Sequence, residues 1–391
     1  MSNRNLLILV IIAAVMVGLA AVTSRIENKP IAATTTGPSY LIQGLDPEKI
    51  TKITIATSKD GLLVTLVRRG ANFFVENLDN YPAIPGEINK LITTCLDIRT
   101  SELYTDNPAN FKTLDMNEEN ARLVVKFYKD DSTDSNLASR SMSLLTGVVI
   151  GKQREKGSVG YIRRAEDNKV YIMATQVPWI KKNPADYVQQ QLTNVKREDI
   201  DIIKVVCPNE SYILKPGTDE RTVTMENIPE GKKLRQDTAN RVFDALADLR
   251  FDDVNVESSK PGLKFDSRFV CMLKDSTVYT IRLAKEGEHW YVKCDAQFMD
   301  QTPVTKTQGE VETEEQLKKK EAKLISRDAA EEFAENHKGW IYQIPKYLAE
   351  NLNRPLVDLL EDKSAAVEPN EPQDANLPQT TLTIPETPTS E

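Results

Sequence analysis

The stretch INKLITTCLDIR, residues 88–99, returns as ANRVFDALADLR at residues 239–250, 151 residues later. Four polar positions correspond between the two stretches: Asn89 with Asn240, Lys90 with Arg241, Asp97 with Asp248 and Arg99 with Arg250. In the first stretch the apolar residues recur at steps of three and four, which predicts a helix over Ile88–Ile98 with one apolar face. Pro85 and Gly86 mark its start. A stretch that returns at a fixed offset indicates two copies of one unit.

Strand-forming segments flank this helix in each copy. EKITKITI at residues 48–55 corresponds to EDIDIIKV at residues 198–205, an offset of 150. Before the helix, alternation predicts strands at Lys52–Ala56, Leu62–Val67 and Asn72–Val75, and in the second copy at Ile200–Val206 and Tyr212–Leu214. After it, strands are predicted at Leu123–Phe127, Ser143–Ile150, Val159–Arg163 and Val170–Met173, matched by Phe269–Leu273, Val278–Leu283 and Trp290–Val292. Asp60-Gly61 predicts a tight hairpin, and such short connections imply antiparallel pairing.

Each copy is expected to end in a helix that contains proline, over Gln176–Leu192 and Pro345–Leu360. Near these ends Tyr171 corresponds to Tyr342, an offset of 171, so the second copy carries about 20 extra residues. The extra segment, about 301–338, interleaves charges with a thin apolar stripe of Leu317, Leu324 and Phe333. We expect it to form a solvated surface helix, and a helix that docks a partner is the alternative.

Together these segments predict an α+β fold in which an N-terminal transmembrane helix precedes two tandem copies of an antiparallel-sheet-plus-helix unit. Repeat 1 is expected at 46–195 and repeat 2, with its charged insertion, at 196–361. Residues 362–391 are expected to be a disordered acidic tail, because Ser364–Glu391 has five acids, five prolines and no basic residue.

The apolar run Leu6–Val22 predicts a membrane segment, since no charge occurs from Asn5 to Ser24 and about 20 such residues span a bilayer as a helix. We expect a stub at 1–4, a transmembrane helix at 5–24 and a linker at 25–45. A cleaved signal peptide is the alternative, because Gly18-Leu19-Ala20 offers small residues. The positive charges that flank the run are nearly balanced, with Arg4 on one side and Arg25 and Lys29 on the other. By analogy with signal anchors, we expect a single-pass protein with a cytoplasmic N-terminus and its bulk outside the cytoplasm.

Composition excludes several function classes. The chain has 391 residues, 28% of them charged, and a net charge of −8, which argues against nucleic acid as a partner. The four cysteines, Cys95, Cys207, Cys271 and Cys294, match no zinc spacing and leave the disulfide state open, although small buried hydrophobes are the simpler interpretation. The chain has only two histidines, His289 and His337, which excludes most metal sites and catalytic triads that depend on histidine.

The motif search identifies no catalytic, cofactor-binding or metal-ligating residue. Gly147 and Gly151 are separated by three residues, and Gln153 follows Lys152, whereas a phosphate loop needs four and then Ser or Thr. This segment is therefore expected to be a strand that ends in a turn. The repeated acid-and-arginine pairs at 97/99 and 248/250 are expected to be a cap or ion pair of the fold. Trp179 and Trp340 are expected to pack in the core.

Several short motifs resemble a family catalogued as a domain of unknown function, number 4340. They are Gly44-Leu45-Asp46, Tyr81-Pro82-Ala83, Leu96-Asp97-Ile98-Arg99, Val149-Ile150-Gly151-Lys152, Gly160-Tyr161-Ile162-Arg163 and Val170-Tyr171-Ile172. The resemblance covers roughly residues 41–360. It implies a single-span, extracytoplasmic protein associated with gliding-type ABC transporter permeases and their auxiliary subunits, and it supplies no active-site residues.

These observations predict a non-enzymatic membrane-anchored accessory or scaffold protein of an ABC-type transporter or envelope complex. Its expected partners are the lipid bilayer, through the N-terminal helix, and a transporter permease or auxiliary subunit. The alternatives are an extracytoplasmic module that binds a glycan, peptide or solute, and a hydrolase that uses unmarked carboxylates.

Overall fold

The computed structural model describes residues 37–131, 141–154, 159–219, 221–304 and 313–363. The chain divides into two compact units, residues 1–189 and 190–391, where the sequence placed a boundary at 195/196. Across the described ranges, no helix combines the length and the apolar character that crossing a bilayer requires. The run Leu6–Val22 and the tail from Ser364 lie outside the described residues.

Unit 1, residues 1–189, is built on a large antiparallel sheet. Its strands are β1 (Ser39–Tyr40), β2 (Lys52–Thr57), β3 (Gly61–Arg69), β4 (Asn72–Val75), β5 (Tyr81–Pro82), β6 (Arg99–Thr105), β7 (Leu123–Asp130), β8 (Met142–Gln153), β9 (Gly160–Arg164) and β10 (Val170–Met173). Its α-helices are α1 (Pro85–Leu96) and α2 (Phe111–Leu114). The strand order is β1-β6-β10-β9-β8-β7-β2-β3-β4-β5. Gly61, at a φ of 69°, begins β3 in the hairpin that Asp60-Gly61 predicted.

Alternation along the strands and the stripe of α1 build the core of unit 1. In β2 every second residue is buried, including Ile53 and Ile55, so one face of the strand packs inward. On α1 the buried residues are Ile88, Leu91, Ile92 and Cys95. The helix begins at Pro85, where a missing N–H costs nothing.

Unit 2, residues 190–391, follows a related plan. Its strands are β11 (Gln191–Thr193), β12 (Ile200–Cys207), β13 (Glu210–Pro216), β14 (Val223–Met225), β15 (Lys232–Leu234), β16 (Leu249–Arg250), β17 (Asp253–Val256), β18 (Ser267–Leu273), β19 (Thr277–Glu286), β20 (His289–Phe298), β21 (Trp340–Ile344) and β22 (Leu360–Asp362). Its helices are α3 (Gln236–Phe243), α4 (Glu314–His337), α5 (Lys346–Leu352) and α6 (Leu356–Leu359). The main sheet has the order β14-β13-β12-β18-β19-β20-β21-β17.

The two main sheets share one strand order. In unit 1, eight neighbouring strands have the spatial order β4-β3-β2-β7-β8-β9-β10-β6. When the strands are ranked by their order along the chain, the eight strands of the unit 2 sheet have the same spatial order. A backbone bond also recurs, because the Ile84 amide donates to the Tyr187 carbonyl at 2.8 Å and the Arg235 amide donates to the Leu359 carbonyl at 2.7 Å. The α+β class with antiparallel sheets is thus confirmed.

The closing helices differ from the prediction. Over Gln176–Leu192 the chain is irregular, with a short 3₁₀ helix at Pro184–Tyr187, because Pro178 and Pro184 interrupt helical bonding. In unit 2 the predicted helix is split into α5 and α6 at Pro355, and the chain then adds β22. Asp362, predicted to belong to the tail, therefore lies in a strand that pairs with β15.

The charged insertion forms α4, and its contacts favour the solvated interpretation. Thr313 caps the helix, accepting a bond from the Gln316 amide while the Gln316 side chain accepts one from Thr313. Ion pairs such as Lys318 with Glu314 lie along the exposed side at one-turn spacing. Phe333 meets Tyr279 edge to face at 5.0 Å, whereas Leu317 is exposed. Helix α4 is therefore attached to the sheet mainly by its C-terminal part.

Candidate functional site

Gly147 and Gly151, the glycines of the segment that was compared with a phosphate loop, allow neighbouring backbone to pack closely. Both lie in β8, which continues to Gln153, whereas the sequence predicted a strand that ends at Ile150 and is followed by a turn. A Cβ on Gly147 would stand 2.6 Å from the Val125 carbonyl oxygen, and one on Gly151 would stand 2.2 Å from the Leu114 carbonyl oxygen. Only glycine permits this close approach of neighbouring backbone.

The two histidines occupy different surroundings. His289 is the exposed first residue of β20. His337 ends α4, where its ring stacks on Phe333 at 4.1 Å and its Nδ1 bonds the Phe333 carbonyl at 2.7 Å. Burial lowers the pKa of His337, which favours the neutral ring.

The repeated acid-and-arginine positions have different partners in the two units. In unit 2, Arg250 Nε donates to Asp248 at 2.7 Å, which is the expected ion pair. In unit 1, Asp97 occupies the C-cap position of α1 and Arg99 donates instead to the Tyr40 hydroxyl at 2.9 Å. Both arrangements are local features of the fold.

The cysteines are free thiols in the structure. Cys95, Cys271 and Cys294 are buried, and burial raises the pKa of each thiol, to about 12 for Cys95 and Cys271. Cys207 is half-buried and its Sγ donates to Asn353 Oδ1 at 3.1 Å. A thiol with a raised pKa is a poor nucleophile and metal ligand, so these side chains act as small hydrophobes.

Several carboxyl groups have a lowered pKa. Lys181 lowers the pKa of Glu87, Arg164 lowers that of Asp167, and Lys323 lowers that of Asp300 to about 2. A general acid of a hydrolase needs the opposite shift. Within the described ranges, no group of three or more His, Cys, Asp or Glu side chains is placed to hold a metal ion.

The most unusual side chain in unit 1 is Trp179, which is 89% exposed. This position contradicts the prediction that Trp179 packs in the core, because the closing segment is irregular where a helix was expected. Burying a tryptophan removes ~150–250 Å² from water, so leaving this ring exposed forgoes roughly 4–6 kcal/mol. An exposed tryptophan on a well-packed unit is a candidate contact residue.

The backbone that carries Trp179 is fixed by its neighbours. Ile180 is buried, and the Lys181 carbonyl accepts a bond from the Tyr187 hydroxyl at 2.9 Å. The Lys181 Nζ pairs with Glu87 of α1 at 2.7 Å. Tyr187 is itself only 2% exposed, and burial raises the pKa of its hydroxyl, so it stays protonated and donates. Trp179 therefore projects from a clamped segment.

A narrow cleft separates this segment from α1. Its walls include Lys90, Leu91 and Thr94 of the helix and Trp179 opposite them. The cleft holds about 40 Å³, whereas sites for drug-sized ligands have roughly 300–1,000 Å³. The cleft itself is too small for a sugar or similar solute, so the outer surface around Trp179 is the candidate contact surface.

The segment that carries Trp179 follows a residue, Ala174, that is linked through Arg99 to β1, the first strand of the described chain. Tyr40 of β1 pairs with Arg99 of β6, and the Arg99 guanidinium lies 4.8 Å from the Tyr40 ring centre. The Ala174 amide, five residues before Trp179, donates to the Arg99 carbonyl at 2.8 Å. Tyr40 is 44% exposed. We call Tyr40, Lys90, Trp179 and Lys182 the entry surface.

A larger pocket lies in unit 2 beside the end of α4. It encloses about 410 Å³ between α4, β19 and β20, and Arg282, Asp295 and Trp340 are among its lining residues. Lys293, also at its wall, is bonded to Glu257. Trp340 is half-buried here, at the start of β21, which accords in part with the predicted core position.

Sequence reasoning identified Trp179 but assigned it to the core. The segment PWIKKNP, residues 178–184, contained a usable signal, because prolines at both ends oppose a helix and two lysines follow the aromatic residue. Lys90 was read only as one of the repeated polar positions of α1. No signal in the sequence marked Tyr40 as part of the same surface.

The described residues define an α+β protein with antiparallel sheets and an exposed tryptophan, Trp179. Residues 74–268 match the model of the family described as Domain of unknown function (DUF4340), which confirms the family resemblance. The match is shorter than the range 41–360 that the motifs covered, and it includes Trp179. No curated protein and no solved structure matches the chain at a significant level.

Proposed function

We propose that this chain is a non-enzymatic, membrane-anchored accessory or scaffold protein of an ABC-type transporter or envelope complex. The observation that carries the proposal is Trp179, which is 89% exposed on a backbone segment held by the Tyr187 hydroxyl and by the Lys181–Glu87 pair. A rigid aromatic side chain in water favours a contact role over a reaction.

The proposed anchor is the run Leu6–Val22, whose 17 residues are apolar or glycine. A helix over residues 5–24 would rise about 30 Å at ~1.5 Å per residue, which matches the hydrocarbon core. In this proposal the N-terminus is cytoplasmic and the bulk of the chain lies outside the cytoplasm. The proposed partner is a permease or auxiliary subunit, the setting that the family resemblance implies.

We also propose that the two units are diverged tandem copies. The shared order of eight strands supports this, as does the recurrence of the Ile84–Tyr187 backbone bond at Arg235–Leu359. Duplicated units of this kind supply a scaffold with several surfaces. An experimental structure in which α1 and α3 follow different strands of their sheets would contradict the duplication.

Protease treatment and alkaline washing of cells that express the full chain test the anchoring and orientation. We expect external protease to digest the body in intact cells while the N-terminal fragment resists extraction at high pH. Protection of the body until the cells are lysed would contradict the orientation. Release of the whole chain by alkali would contradict the anchor.

A second candidate function, a glycan-, peptide- or solute-binding module, is favoured by the unit 2 pocket of about 410 Å³. Its size falls within the usual range for small-molecule sites, and Trp340 and Arg282 supply an apolar face and a charge. Glycan-array binding of the full chain, compared with an Arg282→Ala variant, tests this candidate. Saturable binding lost in the variant would support it.

A further inference from the structure

We infer that the entry surface of unit 1 lies on the membrane surface, with Trp179 in the headgroup region of an anionic phospholipid bilayer. The inference rests on the proposed anchoring and assigns the part of the body that touches the lipid. Three observations carry it: the length of chain between the apolar run and β1, the position of Trp179 relative to β1, and the charges around the ring.

The chain length keeps unit 1 close to the bilayer. Only 15 residue steps separate Ser24, the end of the uncharged run, from Ser39 in β1. A fully extended chain spans at most about 3.3–3.6 Å per residue. Strand β1 therefore lies no more than about 50 Å from the membrane end of the apolar run.

The distance between Trp179 and the start of the described chain has an upper bound. The connection from β1 to Arg99 and then to Ala174 consists of direct strand pairing and one backbone bond. Trp179 follows five residues later, which places it within roughly 18 Å of Ala174. A side chain this close to the tether can reach the headgroups without any change in the fold.

The chemistry of the surface suits a lipid headgroup layer. Tryptophan and tyrosine concentrate at membrane interfaces, and Trp179 and Tyr40 are 89% and 44% exposed. Lys90 and Lys182 are exposed, and within the described part of the chain neither is in an ion pair, whereas Glu87 is paired with Lys181. Each unpaired lysine near anionic lipid adds attraction that salt screens.

The shape of the surface favours a lipid layer over a protein partner. The cleft beside the ring holds only about 40 Å³, so this surface offers no groove that would receive a side chain of a protein partner. Trp179 instead projects outward from a clamped backbone, which suits insertion into a soft, continuous layer. Burial of the ring by a protein is the outcome that the experiment separates from this one.

Tryptophan fluorescence in vesicles tests the inference with the full chain. Trp290→Phe and Trp340→Phe leave Trp179 as the single tryptophan of the three in the chain. The protein is reconstituted into vesicles of phosphatidylcholine and phosphatidylglycerol at a ratio of about 7:3, with and without acyl chains brominated near the headgroup. We expect a blue-shifted emission and roughly twofold quenching by the brominated lipid. Lys90→Gln with Lys182→Gln should reduce this quenching toward the level in pure phosphatidylcholine.

The matched control places a tryptophan at another exposed site of unit 1. Leu62, the second residue of β3, is 58% exposed and is not among the residues that line the cleft beside Trp179. Leu62→Trp combined with Trp179→Phe, in the same background, should show no quenching.

Four results would overturn the inference. Equal quenching at positions 62 and 179 would show unspecific adsorption. A vesicle-bound chain with unquenched Trp179 would refute the lipid contact while leaving the anchor intact, and a blue shift without quenching would assign the ring to a protein contact. A chain that fails to float with the vesicles would overturn the proposed anchoring together with the inference.

Discussion

Replacing Arg163 with methionine should destabilise unit 1 by about 3 kcal/mol. Arg163 is only 7% exposed, and its Nε donates to the Met116 carbonyl at 3.0 Å. Its Nη1 donates to the Arg164 and Ala165 carbonyls at 3.0 and 3.1 Å. The guanidinium also lies 4.9 Å from the Phe111 ring centre. One side chain thus holds the segment around α2 against the sheet.

The magnitude follows from these contacts. Hydrogen bonds to a charged group contribute about 1.5–3 kcal/mol each, and a cation–π contact adds about 1 kcal/mol. The Nε bond, the shared Nη1 bonds counted together as one, and the ring contact give roughly 4–7 kcal/mol. Part of this stabilisation is offset in the wild type, because burial disfavours the charged guanidinium, in line with the lowered pKa of Arg163. Methionine also packs well in the same space, which reduces the loss further. The net loss is therefore about 3 kcal/mol, or roughly 6–12 °C in Tm.

Calorimetry of the full chain, combined with hydrogen exchange over residues 111–118, measures this effect. Arg164→Met is the matched control, because Arg164 is 39% exposed and pairs with Asp167 at 2.8 Å at the surface. A surface pair contributes about 0–1 kcal/mol, so the control should shift Tm by less than about 4 °C. Equal Tm values for both variants, with unchanged exchange over 111–118, would refute the role assigned to Arg163.

Other changes test further parts of the structure. Gly151→Ala should destabilise unit 1 strongly in thermal melts, because its Cβ would stand 2.2 Å from a backbone oxygen, and an unchanged Tm would contradict the packing role. The pKa of His337 is lowered in the fold, so its contribution to stability is complete above the unfolded value near 6.5 and decreases as pH falls through the folded value. Urea titrations at pH 7 and 5 should lose less stability in His337→Gln than in wild type, with His289→Gln as the control. Leu352→Ala should cost about 2–5 kcal/mol because Leu352 is fully buried, whereas deletion of residues 364–391 should leave Tm nearly unchanged.

The strands of the core were predictable because their pattern is strong. Asn72–Val75 and Val170–Met173 have the predicted bounds, and β2 extends its prediction by one residue to Thr57. In these segments alternating apolar residues meet a single buried face. Strand β6 was missed because Ser101–Tyr104 is exposed beside the two-residue strand β1 and shows no apolar alternation.

The exposure of Trp179 was predictable only in part, because Pro178 and Pro184 oppose a helix but the tertiary contacts of the segment leave no pattern in the sequence. The expected helix over Gln176–Leu192 would have turned Trp179 toward the core. Instead, the bond from the Tyr187 hydroxyl and the Lys181–Glu87 pair stabilise an irregular backbone, and the ring points into water. Local pattern contains no information on such contacts between residues that are distant in sequence.

Flotation of the full chain and of residues 25–391 with lipid vesicles tests the anchoring most directly. The full chain should rise with the lipid at both low and high salt. The shortened chain should remain at the bottom, because the surface around Trp179 buries less apolar area than a single acyl chain, which itself binds only marginally. A shortened chain that floats as completely as the full chain, at high salt, would contradict the assignment of the membrane anchor to Leu6–Val22.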